Sequence, residues 1–210
     1  MMKTILCYGD SNTWGDPPGG SGRHAWDVRW PGLLQSALGS GARIIEEGLG
    51  GRTTCFDDPL TPNRNGLAYL PIALESHYPI DLLIIMLGTN DVKVRFNLTP
   101  YTIGQGAAEI LMLAKKFEPT ISNILLVAPP HVVPTDHAEN SLAFEGAIEK
   151  SRELAKHYRY FATLLGCHFF DASSVAKSSE LDGIHLDEKN HELLAHGMAN
   201  EVKKIFKRQI

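Results

Sequence analysis

The sequence predicts an α/β fold, a three-layer α/β/α sandwich around a five-stranded parallel sheet. Three observations carry this: five short apolar runs recur along the chain, helical patterns separate them, and no two runs lie close enough for a hairpin. Parallel neighbours need right-handed crossovers, which put helices on both faces of the sheet. The runs are Thr4 to Tyr8, Arg43 to Glu46, Asp81 to Leu87, Asn123 to Ala128 and Cys167 to Phe170. They are short and rich in Ile, Leu, Val and Phe, as strands covered on both sides require.

The helices follow in order. Leu33, Leu34, Ala37 and Leu38 lie behind Pro31 and stop at Gly39; Ile103, Ala107, Ile110, Leu111 and Ala114 lie behind Thr99-Pro100, a cap with proline in the first turn. A third pattern runs Phe144, Ile148, Ser151, Ala155, Tyr158, Ala162, Leu165 and stops at Gly166, and a fourth carries Leu194, Met198, Val202 and Ile205. Residues 12–30, 52–66, 91–99 and 129–140 are long connections rich in Gly, Pro, Asn and Asp, each after one of the first four strands. Connections longer than packing requires are commonly binding loops or lids.

At 210 residues, with neither an internal repeat nor a linker, the chain is expected to form a single domain over 1–210. Lys and Arg number 20 against 24 Asp and Glu, a net charge of −4, so the basic footprint that holds a phosphate backbone is missing and no nucleic-acid partner is expected. The longest apolar run, Leu82 to Leu87, is far short of the ~20 residues of a bilayer span, and the first residues lack the pattern of a signal peptide. Cys7, Cys55 and Cys167 are odd in number and scattered, which speaks against a disulfide framework and for a reducing cytoplasm.

Ligands of open parallel sheets bind beyond the carboxyl ends of the strands. The residues there are Gly9-Asp10-Ser11-Asn12, Gly48-Leu49-Gly50-Gly51-Arg52, Gly88-Thr89-Asn90-Asp91 and, beyond the fifth strand, Asp182-Gly183-Ile184-His185. One rim thus receives a hydroxyl, a glycine-lined backbone, a carboxamide and a carboxylate–imidazole pair, the parts of an acyl-transfer site. Ser11 needs a base to become a nucleophile, His185 can be that base, and Asp182 can fix the imidazole tautomer. The N–H groups of Ser11 and Gly51 and the Asn90 amide can meet the oxyanion.

In order and spacing, Gly9-Asp10-Ser11, Gly51, Gly88-Thr89-Asn90-Asp91 and Asp182-Gly183-Ile184-His185 resemble the four blocks of the SGNH hydrolases, also called the GDSL esterase/lipase family. The stretches Ile5 to Gly15, Glu46 to Leu49 with Arg52-Thr53-Thr54, and Ile84 to Asp91 resemble its arylesterase/acyltransferase branch, which includes perhydrolytic enzymes. The resemblance implies a flavodoxin-like SGNH fold and a serine esterase of short-chain or aryl esters, with alcohols or peroxide competing with water for the acyl group. It implies Ser11 as nucleophile, His185 as base, Asp182 as its orienter, and Ser11, Gly51 and Asn90 as oxyanion hole. Trp14, Gly50 and Ile184 are expected to contact the substrate, and the partner is a small-molecule ester. Relative to that branch the loop after Trp14 is shorter and Gly-rich, Gly51 replaces a residue with a small side chain, and the Phe117 to Asn123 connection is abbreviated. In those relatives such loops build subunit contacts, so a homo-oligomer, octamer-like by resemblance, is expected.

Each residue alone has a plainer reading. Ser11 can cap a helix, Asn90-Asp91 can close a turn, and His185 can be a surface residue before the last helix. Together they fall on one rim in the right chemical types. His191 and His196 are five apart and on different helix faces, and H-E-x-x-H is absent, so neither metal nor cofactor is expected. Arg52 and Lys93 flank the rim and read as solvated charges or as a greeting for an acidic leaving group. Two alternatives remain: a carbohydrate O-acetyl esterase, and a non-catalytic flavodoxin-like module that binds a ligand at the same rim.

Overall fold

A computed structural model describes residues 2–117 and 120–207. Residues 118 and 119, within the connection expected to be abbreviated, lie outside the described residues. Five strands, β1 (Lys3–Gly9), β2 (Ala42–Gly48), β3 (Leu82–Met86), β4 (Ile124–Ala128) and β5 (His168–Asp171), form one sheet. Their order is β2-β1-β3-β4-β5 and every pairing is parallel. This is the flavodoxin-like order, and the expected α/β/α sandwich is what the chain forms.

Alternation along the strands sends side chains to two cores. Leu6 and Tyr8 of β1 join Leu83, Ile85 and Leu126 on one face, under α3 (Gly66–His77), α4 (Pro100–Lys115) and α6 (Ala147–Leu164). Ile5 and Cys7 join Ile84, Met86 and Leu125 on the other, under α2 (Trp30–Leu38) and α7 (Glu188–Lys207). β3 and β4 are buried along their whole length, which explains their uninterrupted apolar runs.

Three elements depart from the sequence reading. Helix α3 forms where the sequence shows no helical pattern, because Pro71 interrupts it from within. Leu70, Ala73 and Leu74 nonetheless share a buried face, and the Asn65 carboxamide oxygen caps the helix by accepting from the Ala68 N–H at 3.2 Å. The third predicted helix starts late: α6 begins only after Gly146, whose φ of +70° breaks the helix, and a separate short helix, α5 (Ala138–Ala143), forms before it partly in an expected loop. The connection after β1 opens with a single turn, α1 (Ser11–Trp14). Among the described residues no helix is long and apolar enough to cross a membrane.

Candidate active site

Ser11 is the first residue of α1, directly after β1. Asp10 turns the chain there in an extended conformation, and its Oδ1 accepts the Asn12 N–H at 3.0 Å. Asn12 then joins this turn to a distant segment: its Nδ2 donates to Ile184 O and its Oδ1 accepts from the Leu186 N–H, both at 3.0 Å. Residues 174 positions apart are thereby fixed side by side. His185 Nε2 stands 3.0 Å from Ser11 Oγ, and His185 Nδ1 stands 2.7 Å from Asp182 Oδ2.

A carboxylate only accepts, so Asp182 keeps the proton on Nδ1 and leaves Nε2 as the acceptor facing the serine hydroxyl. Asp182 is held in turn. Its Oδ1 accepts the Ile184 and His185 N–H groups at 3.1 and 3.0 Å, and its Oδ2 also accepts the Gly19 N–H at 3.0 Å. Burial pushes this carboxyl up, but the His185 ring and these N–H donors outweigh it and hold it well below the usual carboxylate range. It stays ionised wherever the protein is folded and near neutrality.

The second and third rim segments meet the first from across the sheet. Gly51 has φ +78°, a conformation glycine takes without strain. Neither the Ser11 nor the Gly51 N–H donates to a protein acceptor among the described residues. Asn90 uses one amide proton on Arg52 O at 3.1 Å and keeps the other. Beneath them Asp91 accepts from the Thr54 N–H at 3.0 and 3.1 Å and from its hydroxyl at 2.5 Å, tying the segment after β2 to the one after β3. Burial raises the Asp10 and Asp91 carboxyls to about 6 each.

Ser11, Gly50, Gly51, Asn90, Ile184 and His185 line one cleft of about 380 Å³ together with Asp16, Thr61, Lys93, Arg95, Glu139 and Asn140. Leu60, Ala143 and Phe144 are its apolar wall. Two expectations need correction. Trp14 does not line the cleft: it lies under the Arg23 guanidinium, 4.8 Å from the ring centre. Arg52 is no solvated rim charge. It is buried, its Nη1 donates to Gly9 O at 2.8 Å and to Glu47 O, and it stacks 4.3 Å over the Tyr8 ring. Lys93 does reach the cleft, with burial lowering its ammonium to about 8. Sequence reasoning missed Asn12, whose role is visible only once Ile184 and Leu186 are beside it, and Asp16, which stands 3.9 Å from His185 Nε2. No group of three or more metal-ligating side chains is assembled among the described residues.

A hydroxyl, an imidazole and a carboxylate in series at the carboxyl edge of a doubly wound sheet are the parts that a serine-type acyl-transfer site needs. The comparisons agree. The GDSL-like lipase/acylhydrolase family matches residues 7–193, and the chain belongs to that family. The structure is similar to an aryl esterase from M. smegmatis, with 42% identity over 96% of this chain and 99% of that one and a TM-score of 0.91. It is similar to a carbohydrate acetylesterase family member from Sinorhizobium meliloti, at 44% identity over 97% and 98% of the two chains with a TM-score of 0.92. Est24, a carbohydrate acetylesterase from the same organism, shares 39% identity over 97% and 99% with a TM-score of 0.91. No curated protein sequence matches. The chain is a carboxylic ester hydrolase.

Proposed function

We propose that this esterase works through an acyl-enzyme on Ser11, with His185 as general base and then acid and Asp182 as the group that orients and charge-stabilises it. The observation that carries the reading is the unbroken series from Ser11 Oγ through His185 to Asp182, at 3.0 and 2.7 Å. As Ser11 Oγ attacks the ester carbonyl, its proton passes to Nε2, and the oxyanion meets the Ser11 and Gly51 N–H groups and the free Asn90 amide proton. Collapse of the tetrahedral adduct expels the alcohol, which takes the proton from Nε2. Water then enters by the same steps in reverse roles and releases the acid; alcohols and peroxide enter at this point in competition with water.

The substrate is a short-chain ester whose alcohol part is a phenol or an acetylated sugar. The cleft's short apolar wall of Leu60, Ala143 and Phe144 favours a small acyl group, and its many polar side chains favour a polar alcohol. The names of the similar structures point the same way. We also take residues 1–210 as one domain acting in the cytoplasm, where three free cysteines stay reduced, and as a homo-oligomer, for which exposed Tyr101, Tyr160 and Leu164 on α4 and α6 offer a surface. A panel of p-nitrophenyl acetate, longer p-nitrophenyl esters and acetylated sugars, assayed with wild type and Ser11→Ala, tests the reading. Turnover of acetates by wild type and its loss in Ser11→Ala is the expected result; equal turnover by both proteins overturns it.

A further inference from the structure

Asp16 lines the cleft, and its Oδ2 stands 3.9 Å from Nε2 of the His185 imidazole. Two backbone bonds hold the segment in place: the Gly15 and Asp16 N–H groups both donate to Ser11 O, at 2.7 and 3.0 Å. Gly50 lies beside the side chain: a Cβ there would be in ordinary contact with it, 3.8 Å from Asp16 Oδ2. The carboxylate is half-buried, yet no N–H or O–H of the described residues donates to it. A half-buried anion without a donor calls for one from solvent or substrate.

The distance specifies the donor. Asp16 Oδ2 and His185 Nε2 are 3.9 Å apart, and both are acceptors when the imidazole is neutral. At rest the Ser11 hydroxyl serves Nε2. Once Ser11 is acylated that proton is gone, and two acceptors face the cleft unserved. A water oxygen about 2.8 Å from each would subtend roughly 90°, close enough to the angle between its two O–H bonds to donate to both. An alcohol has a single O–H. It can satisfy His185 only by leaving Asp16 without a partner, and the same holds for a bulkier acceptor that displaces this water.

We propose that Asp16 holds the hydrolytic water of the acyl-enzyme jointly with His185 and so selects water over alcohols as acyl acceptor. The inference rests on the acyl-enzyme reading of Ser11 given above. In the step itself the water oxygen bonds to the acyl carbon while one of its protons moves to Nε2. The other proton stays on oxygen, hydrogen-bonded to Asp16. The acyl C–Oγ bond then breaks, the Nε2 proton returns to Ser11 Oγ, and the carboxylic acid leaves.

The test is the product ratio of methyl acetate to acetate from p-nitrophenyl acetate in aqueous methanol, for wild type, Asp16→Leu and Asp16→Asn. The Asp16 side chain makes no hydrogen bond within the described fold, so neither exchange removes a structural contact of that kind. We expect the ratio to rise about fivefold or more in Asp16→Leu and by less in Asp16→Asn, which keeps a weaker acceptor. The pre-steady-state burst of p-nitrophenol should grow in Asp16→Leu, because deacylation slows, and added methanol should speed its turnover more than that of wild type. A ratio within about twofold of wild type in both variants overturns the proposal, as does a change confined to the KM of sugar acetates, the mark of a sugar-binding carboxylate. Failure of wild type to show Ser11-dependent hydrolysis would instead count against the esterase reading.

Discussion

Replacing Asp182 by asparagine changes one atom, and the structure says which way the new amide must face. Oδ1 accepts two backbone N–H groups, from Ile184 and His185, so the amide oxygen takes that position and the NH2 group takes the place of Oδ2. There it meets the Gly19 N–H, a donor facing a donor, and His185 Nδ1 at what was a 2.7 Å contact. An amide N–H next to Nδ1 makes that nitrogen the acceptor and moves the imidazole proton to Nε2. His185 would then donate to Ser11 Oγ and could not take its proton. The corresponding exchange in a serine protease lowers kcat about 10⁴-fold, equivalent to about 5.5 kcal/mol of transition-state stabilisation. We expect a loss of about that size in kcat for p-nitrophenyl acetate, with KM changed by less than about threefold and the fold preserved. Stopped-flow release of p-nitrophenol measures it, and circular dichroism checks the fold. A loss below about tenfold in a folded variant would refute the tautomer argument.

Other outcomes follow from the same contacts. Asn90→Ala removes the proposed oxyanion donor and should lower kcat by about 10² to 10³ with little change in KM; steady-state kinetics decide, and an unchanged kcat would exclude Asn90 from that role. Asp10 is buried with Oδ2 unpartnered, and its pKa rises from 3.8 to about 6. A raised folded pKa means stability that is present below about pH 4 and lost as pH rises through about 6, on the order of 3 kcal/mol at neutrality. Asp10→Asn keeps the cap on Asn12 and should therefore gain stability relative to wild type between pH 4 and pH 7 in urea unfolding; a difference independent of pH contradicts this. Gly88 has φ +123°, and a Cβ there would sit 2.3 Å from the Tyr158 hydroxyl that donates to Leu87 O at 2.9 Å. Gly88→Ala should cost about 3 kcal/mol or more from strain and the lost bond, read as a melting-temperature drop of roughly 10 °C, and a drop below about 2 °C would count against it.

Much of the fold was legible because its central strands are buried on both faces. Ile84, Ile85 and Met86 can be nothing but core, and small polar residues directly after such runs mark the sheet's carboxyl edge. Ser11 and Asn90 stand out that way, as polar residues just past strand ends, and His185, well beyond the end of β5 at Asp171, stands out by the carboxylate three residues before it. What escaped depended on contacts with no sequence period. Pro71 hides α3 because a proline inside a helix removes a donor and reads as a stop. Arg52 reads as a surface cation, yet two carbonyl oxygens and the Tyr8 ring take up its charge inside the fold. Trp14 reads equally as a pocket wall or as packing, and it packs under the Arg23 guanidinium. Asp16 lies five residues from Ser11 in a Gly- and Pro-rich loop, and only the turn at Gly15 shows that it faces His185.

The most direct test of the account is covalent capture. A fluorophosphonate incubated with the wild-type protein should add one phosphonyl group, located by peptide mapping on Ser11, and His185→Ala should react at least about 10³-fold more slowly. Modification at another serine, or a rate on Ser11 that is the same without the imidazole, would contradict the claim that His185 makes this hydroxyl reactive.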